Sequence, residues 1–272
     1  MPDFLCHFAH EKIGDRKLYD QQGYLVLKQI FEPSALEALK AQVAPIYHQW
    51  QQRNQQVSGY VQQVNMHSLT HPAYFAQPEA RMEFFQHLAH PRLVQTLKTI
   101  FGSAIYFHNT QLFFNPADPN KTNYWHRDLQ YSALGDDLQQ QIHHELLSLH
   151  VRIALMDETG VELIPHSHRQ WDSPLEHAVR FAHEGHHQHD ELPHSHLIEL
   201  KAGDVLVFNS QLIHRGRYDF NAQRLALDLC IGTPHAAIRE FMDTSVQPTA
   251  DELAQLKHND WFVEATRLLP VH

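Results

Sequence analysis

The strongest constraint on this fold is a change of period a little over a third of the way along the chain. Up to about residue 102 the apolar residues recur at helical spacing. Beyond it come short β-type runs at 104–115, 147–155, 161–164, 197–200, 205–208 and 225–231. They are separated by turn and loop residues, and the long crossings between them lack the pattern of βα units. Several short strands joined in this way predict a mainly β protein with flanking helices. The expected core is a double-stranded β-helix, a jelly-roll or cupin-like barrel whose mouth has room for a metal.

The helical part is readable in places. Leu36, Leu39, Val43 and Tyr47 fall three and four residues apart and form one apolar face. Ser34-Ala35-Leu36-Glu37 reads as a capping box opening that helix, and Thr249-Ala250-Asp251-Glu252 as a second near the C-terminus. Pro91 suits a first helical position, and Gly102 marks where that helix stops. Tyr24-Leu25-Val26-Leu27 reads as a short strand. With no repeat or low-complexity linker, residues 1–272 are expected to form one domain. It divides into a helical part (about 1–102), a β-barrel core (about 103–232) and a C-terminal helical extension (about 235–272).

Composition narrows the function. A formal net charge of −10 with no Lys/Arg block argues against nucleic acid and anionic membrane surfaces. Two cysteines, Cys6 and Cys230, exclude a disulfide framework and a cysteine-based zinc site. Met1-Pro2-Asp3-Phe4 lacks a basic region followed by an apolar one, so no signal peptide is expected there, and no apolar run of about 18 residues occurs. The expected setting is cytoplasmic and the expected partner a small molecule. Oligomeric state leaves no mark in the sequence.

Among 25 histidines one arrangement stands out, Trp125-His126-Arg127-Asp128. A histidine and an aspartate one residue apart on extended backbone point to the same side. A further histidine would complete a facial set of two imidazoles and a carboxylate, which holds non-haem Fe(II) with positions left open. His-x-Asp arises by chance in so histidine-rich a chain, so the rest must supply the third ligand. His214 is the candidate. It follows the buried run Val205–Phe208 and lies 88 residues after His126, a spacing that suits strands meeting only when a barrel closes.

The ordered set of these segments resembles the phytanoyl-CoA dioxygenase family of Fe(II)/2-oxoglutarate-dependent oxygenases. It comprises Asp20–Leu27, Trp125–Asp128, Leu149–Leu155, Glu162–Arg169, and Gly203–Phe208 leading to His214 and Arg224. Together they span most of residues 16–232. The resemblance implies His126, Asp128 and His214 as iron ligands and Arg224 as a two-nitrogen clamp on the distal carboxylate of 2-oxoglutarate, with O2 as oxidant. A planar guanidinium suits that clamp better than an ammonium. Gln111 and Asn115 match cosubstrate-contacting positions, although many relatives carry lysine where Asn115 stands. Gly216 stands where relatives commonly place a serine. Halogenating relatives have a small residue in place of the carboxylate, so Asp128 favours hydroxylation, with release of succinate and CO2. The extended sequence that marks the ectoine hydroxylases downstream of the iron motif is absent.

Other residues carry two readings each. Arg152 shares a strand face with His150 and Ala154. It binds an anionic group of substrate or cosubstrate, or it forms an ion pair with an acid such as Glu162. Trp125, Arg127, Gln130, Tyr131 and Trp171 are substrate contacts or packing residues. The histidine-rich stretch 183–196 is a solvated loop or lid over the barrel mouth, or a second metal site. Two alternatives to the oxygenase remain at this level: a cupin-like metal enzyme, and a metal- or metabolite-binding protein, neither using 2-oxoglutarate.

Overall fold

The computed structural model describes residues 14–236 and 242–268. The expectations for Met1–Phe4 and Cys6 lie outside these residues, as do parts of the C-terminal extension. Among the described residues nine strands form two antiparallel sheets. In chain order they are β1 (Tyr24–Leu27), β2 (Asn65–His67), β3 (Tyr106–Phe114), β4 (Ser148–Ala154), β5 (Glu158–Leu163), β6 (His196–Leu200), β7 (Val205–Asn209), β8 (His214–Gly216) and β9 (Leu225–Gly232). The large sheet runs β1-β7-β4-β9-β3-β2 and the small one β6-β5-β8. This is the expected jelly roll with flanking helices. Among the described residues the two sheets face each other without closing into a continuous barrel.

Period-two alternation explains which side of the large sheet does what. Leu149, Val151 and Ile153 of β4, Val205 and Val207 of β7, and Leu227, Leu229 and Ile231 of β9 point outward into the main core. Helices cover that face: α1 (Pro33–Asn54), α2 (Pro78–Leu88), α3 (Pro91–Phe101) and, after α4 (Asp136–Ile142), α5 (Pro174–Phe181) and α6 (Ala250–Gln255), also α7 (Asp260–Leu268). Each covering helix contributes apolar side chains, among them Leu39, Phe84, Leu97 and Phe262. The opposite face meets the small sheet through Ala154, Leu206 and Phe208 against Val161, Leu163 and Ile198.

Two sequence expectations need correcting. Helix α1 begins at Pro33, with Glu32 at its cap and no side-chain capping bond, so Ser34–Glu37 is not a capping box. Proline with its fixed φ occupies the first helical position and moves the cap two residues upstream, from Ser34 to Glu32. The N-terminal part is also less purely helical than expected, because β2 as well as β1 joins the large sheet as an edge strand. Strands β2 and β8 escape sequence reading because each is three residues long. The box at Thr249 is present: its Oγ1 accepts from Glu252 N at 3.2 Å while Glu252 Oε2 accepts from Thr249 N at 2.7 Å.

Candidate functional site

Three elements bring the expected ligand residues together between the sheets. Residues 126 and 214 form a bridge, with His126 N donating to His214 O at 3.0 Å and the reverse bond at 2.9 Å. The bridge lays the His126 loop alongside β8 of the small sheet. Two residues on, Asp128 N donates to Ser210 O at 3.1 Å, and Asp128 starts a short 3₁₀ turn. One ligand atom from each of His126, Asp128 and His214 falls within 4.8 Å of the others. Asp128 Oδ1 is 3.7 Å from His126 Nε2 and 3.5 Å from His214 Nε2.

Hydrogen bonds fix which atoms remain available. His126 Nδ1 lies 3.2 Å from Tyr124 O and His214 Nδ1 2.9 Å from Leu212 O. Carbonyl oxygens only accept, so both Nδ1 atoms carry the proton and both Nε2 atoms keep a lone pair for a metal. Burial depresses the pKa of His126. It also lowers that of His214, to about 3, with His126 adding to the effect. Both rings are therefore neutral, as metal ligation requires.

The third wall comes from the large sheet. His150 projects inward from β4, stacked on Phe208 with ring centroids 4.9 Å apart. Its Nε2 lies 2.6 Å from Asp128 Oδ2 and its Nδ1 3.0 Å from Asp228 Oδ2. Burial disfavours a charged ring there, yet the two carboxylates outweigh it and push the His150 pKa up to about 10. In the same way burial raises Asp128, but His150 and the imidazoles of His214 and His126 overcome it and hold the carboxyl well below its ordinary range. Oδ2 is thus occupied by His150, and Oδ1 faces the two free Nε2 atoms.

A cavity of about 350 Å³ opens beside this cluster, lined in part by His67, Phe113, Tyr124, Arg152, Tyr218 and Arg224. The Arg224 guanidinium is buried over the rings of Phe113 and Tyr218. Its nearest acid oxygen is Glu158 Oε2, 3.7 Å from Nε, and Nε and Nη1 make no hydrogen bond. A buried guanidinium with unused donors in a cavity wall suits an incoming carboxylate. Gly216 makes room for it: a Cβ there would stand 2.9 Å from Arg224 Nη1 and 3.1 Å from Tyr218 Cε1.

Arg152 does face the interior, and its ion-pair partners differ from the one expected. Its Nε is 2.9 Å from Glu158 Oε1 and 3.7 Å from Asp228 Oδ1. Glu162 is taken instead by Arg215, Arg217 and Ser195. Glu158 therefore stands between the two interior guanidiniums. Arg152 Nη2 is buried without a hydrogen bond, and the residue lines the same cavity. Gln111 is present too, whereas Asn115 is not among the cavity residues. Asn115 lies just past the end of β3 and donates its Nδ2–H to Asn221 O at 2.8 Å.

The flanking residues separate by what they touch. Arg127 is 1% exposed and its three nitrogens donate to Asp172 and to the carbonyls of Ser167, Gln170 and Gln211. With every nitrogen engaged, it ties loops together and has no donor left for substrate. Gln130 accepts from Arg127 N and Arg180 Nη2. Trp125 is fully buried beneath Arg215, its indole N–H bonded to Asp190 O at 2.9 Å. Trp171 packs on His143 and Arg127, away from the ligand cluster. These four are packing residues; of the flanking group only Tyr131 lines the site.

The histidine-rich stretch is fastened to the barrel. Gln188 O accepts from Trp125 N, Arg215 Nη1 donates to His189 O, and His186 and His187 face Asp190. Among the described residues the metal-compatible group is the His126 cluster, so the second-metal reading of 183–196 gains nothing. Sequence reasoning missed the roles of His150, Glu158 and Asp228. Parity along β4 and β9 groups His150 with Arg152 and Asp228 with Cys230, but a bulge between Thr159 and Val161 shifts the parity of Glu158 on β5, and their mutual pairing depends on strand register.

Comparison with known proteins places this geometry. The sequence model of the family described as phytanoyl-CoA dioxygenase (PhyH) matches residues 19–223. A curated relative, ectoine dioxygenase of Bordetella bronchiseptica, is 26% identical over 166 residues, which cover 57% of this chain and 49% of the relative. The match thus spans about half the length of that enzyme. The crystal structure of AviO1 from Streptomyces viridochromogenes is similar with a TM-score of 0.57 at 17% identity, covering 83% of this chain and 96% of that one. HygX from Streptomyces hygroscopicus, solved with nickel and 2-oxoglutarate bound, gives 0.56 at 17% identity, covering 80% and 85%. Structural likeness at this identity speaks for the shared fold. With the family match covering most of the chain, the protein belongs to the phytanoyl-CoA dioxygenase family of Fe(II)- and 2-oxoglutarate-dependent oxygenases.

Proposed function

We propose that His126, Asp128 and His214 bind Fe(II), that Arg224 clamps the distal carboxylate of 2-oxoglutarate, and that the reaction is hydroxylation of a small or medium-sized organic metabolite. One observation carries this reading: two free Nε2 atoms and one carboxylate oxygen converge beside a buried guanidinium whose donors are unused. Fe(II) with the oxo acid and O2 supplies the oxidising power, converting R–H, O2 and 2-oxoglutarate into R–OH, succinate and CO2.

The residues divide the remaining tasks. The carbonyls of Tyr124 and Leu212 orient the imidazoles, and His150 orients the carboxylate. Arg224 fixes the oxo acid by a planar, two-nitrogen contact, and Arg152 adds a second positive charge to the same wall. Phe113 and Phe208 keep that wall apolar and exclude water, which strengthens each charge contact. Asp128 in place of a small residue supports hydroxylation over halogenation. Gln111, in the wall of the cavity, supports a cosubstrate contact.

The test is succinate formation from 2-oxoglutarate in the presence of Fe(II) and O2, measured without added substrate to read uncoupled turnover. The wild type is expected to produce succinate and Arg224→Ala to need a far higher oxo-acid concentration. A metal enzyme independent of the oxo acid would yield no succinate and would tolerate Arg224→Ala.

A further inference from the structure

A second cavity, of about 260 Å³, lies on the other side of the ligand carboxylate. It shares Gln111, Asp128, Tyr131 and His150 with the first, so the two meet at the cluster. Strand register explains why their chemistry differs. Across β4, β9 and β3 the inward rows are Arg152, Asp228 and Gln111, then His150 and Cys230, then Ser148, Gly232 and Tyr106. The rows pass from one that carries charges, through the ligand cluster, to one that is uncharged, small at Ser148 and Gly232. A bulge between Phe107 and Asn109 allows this, because it shifts parity and turns both Tyr106 and Gln111 inward.

The second cavity has no lysine or arginine in its walls, and the charged groups it does hold, Asp128 and His150, are bonded to each other, with His150 also on Asp228. A charged guest would lie there without a counterion, at a desolvation cost that a neutral one avoids. Gln211, 2% exposed, forms part of the wall. Its Nε2 donates to Ser210 Oγ at 2.8 Å while its Oε1 is buried with no partner. An unpaired buried acceptor is costly, so a donor that reached it from the adjoining cavity would be stabilised. His108 Nδ1, in another part of the wall, is likewise buried and unpaired.

We infer that this second cavity is the chamber for the primary substrate, and that it takes an uncharged organic molecule whose hydroxyl or amide N–H donates to Gln211 Oε1. The inference rests on the oxygenase reading, with the anionic oxo acid confined to the guanidinium side. It assigns specificity to Gln211 and, through their small size, to Ser148 and Gly232.

The test uses the full chain loaded anaerobically with 2-oxoglutarate and either Fe(II) or Zn(II). Cyclohexanemethanol and cyclohexanecarboxamide are compared with cyclohexanecarboxylate and cyclohexanemethylamine by ligand-observed NMR, reading the extra proton relaxation caused by paramagnetic Fe(II). The neutral pair is expected to show it, to lose it in Ser148→Phe, which fills the chamber, and to bind about tenfold more weakly to Gln211→Leu. The inference is overturned if relaxation is confined to the charged members, if none of the four shows it, or if both variants leave it unchanged. The Fe(II)–2-oxoglutarate charge-transfer band, recorded on each sample, separates the two failures. With the band present only the chamber assignment falls, and with the band absent in wild type the oxygenase reading falls.

Discussion

Asp128 Oδ2 and His150 Nε2 stand 2.6 Å apart, so the carboxylate that faces the two histidines is held from behind by a side chain of the opposite sheet. Outer groups of this kind typically change metal affinity 10–100-fold when removed. His150→Leu is expected to weaken Fe(II) binding by about that factor, and His150→Gln, which keeps a donor, by less. Metal titration calorimetry checks both; equal affinity in all three proteins would remove His150 from the account.

The proximity of Gly216 to Arg224 gives a second expectation. Gly216→Ser places a Cβ where Arg224 Nη1 lies at 2.9 Å, so the guanidinium must shift. Affinity for 2-oxoglutarate should fall about tenfold, the ~1.4 kcal/mol of one displaced contact, while Fe(II) affinity stays at the wild-type value. A serine tolerated without loss would show that Arg224 has freedom to move.

Far from the site, Arg81 of α2 is 4% exposed and donates to Glu252 Oε2 at 2.7 Å, to Thr70 O and to the carbonyls of Ser245 and Gln247. It secures the segment leading into α6. Arg81→Met strands the Glu252 carboxylate, at a cost of about 3–5 kcal/mol for a broken buried pair. Urea unfolding should register that loss. A change below about 0.5 kcal/mol, the range of ordinary surface substitutions, would contradict the assigned role.

His168 sets a pH dependence of stability. Its ring packs against Gly23, where a Cβ would come within 2.5 Å of Nδ1, and both ring nitrogens are buried without partners. Burial, aided by the neighbouring Arg169, lowers its pKa from 6.5 to about 4. The folded state therefore binds its proton less readily than the unfolded chain. The contribution is present above pH 6.5 and is lost as pH falls through about 4. It amounts to at most about 3 kcal/mol. In His168→Leu the fall in stability across that window should be correspondingly shallower, as followed by urea midpoints. Parallel curves for the two proteins would refute it.

Much of this was legible in the sequence because its marks are local. Alternating apolar residues located β3, β4, β7 and β9 to within two residues at each end, and the His126–Asp128 spacing with His214 and Arg224 indicated the ligand set. Parity on β4 placed Arg152 on one face with His150 and Ala154, and that face is the inward one. What escaped depends on register between distant strands. That Glu158 rather than Glu162 meets Arg152 follows from the path of β5, and the His150–Asp228 contact from the pairing of β4 with β9. Arg127, between His126 and Asp128, carried both a substrate and a packing reading, and its neighbour in space, Asp172, fits the second. Asn115 failed for a similar reason, since β3 ends one residue before it and a loop asparagine becomes its partner.

The central claim is that one pocket holds Fe(II) and 2-oxoglutarate together, and anaerobic absorption spectroscopy tests it most directly. Adding both to the wild-type chain should produce the weak visible charge-transfer band of the chelate, absent when either is omitted. Asp128→Ala should abolish it, and Arg224→Ala should require a much higher oxo-acid concentration. A wild-type protein that gives no band at saturating Fe(II) and 2-oxoglutarate would contradict the account.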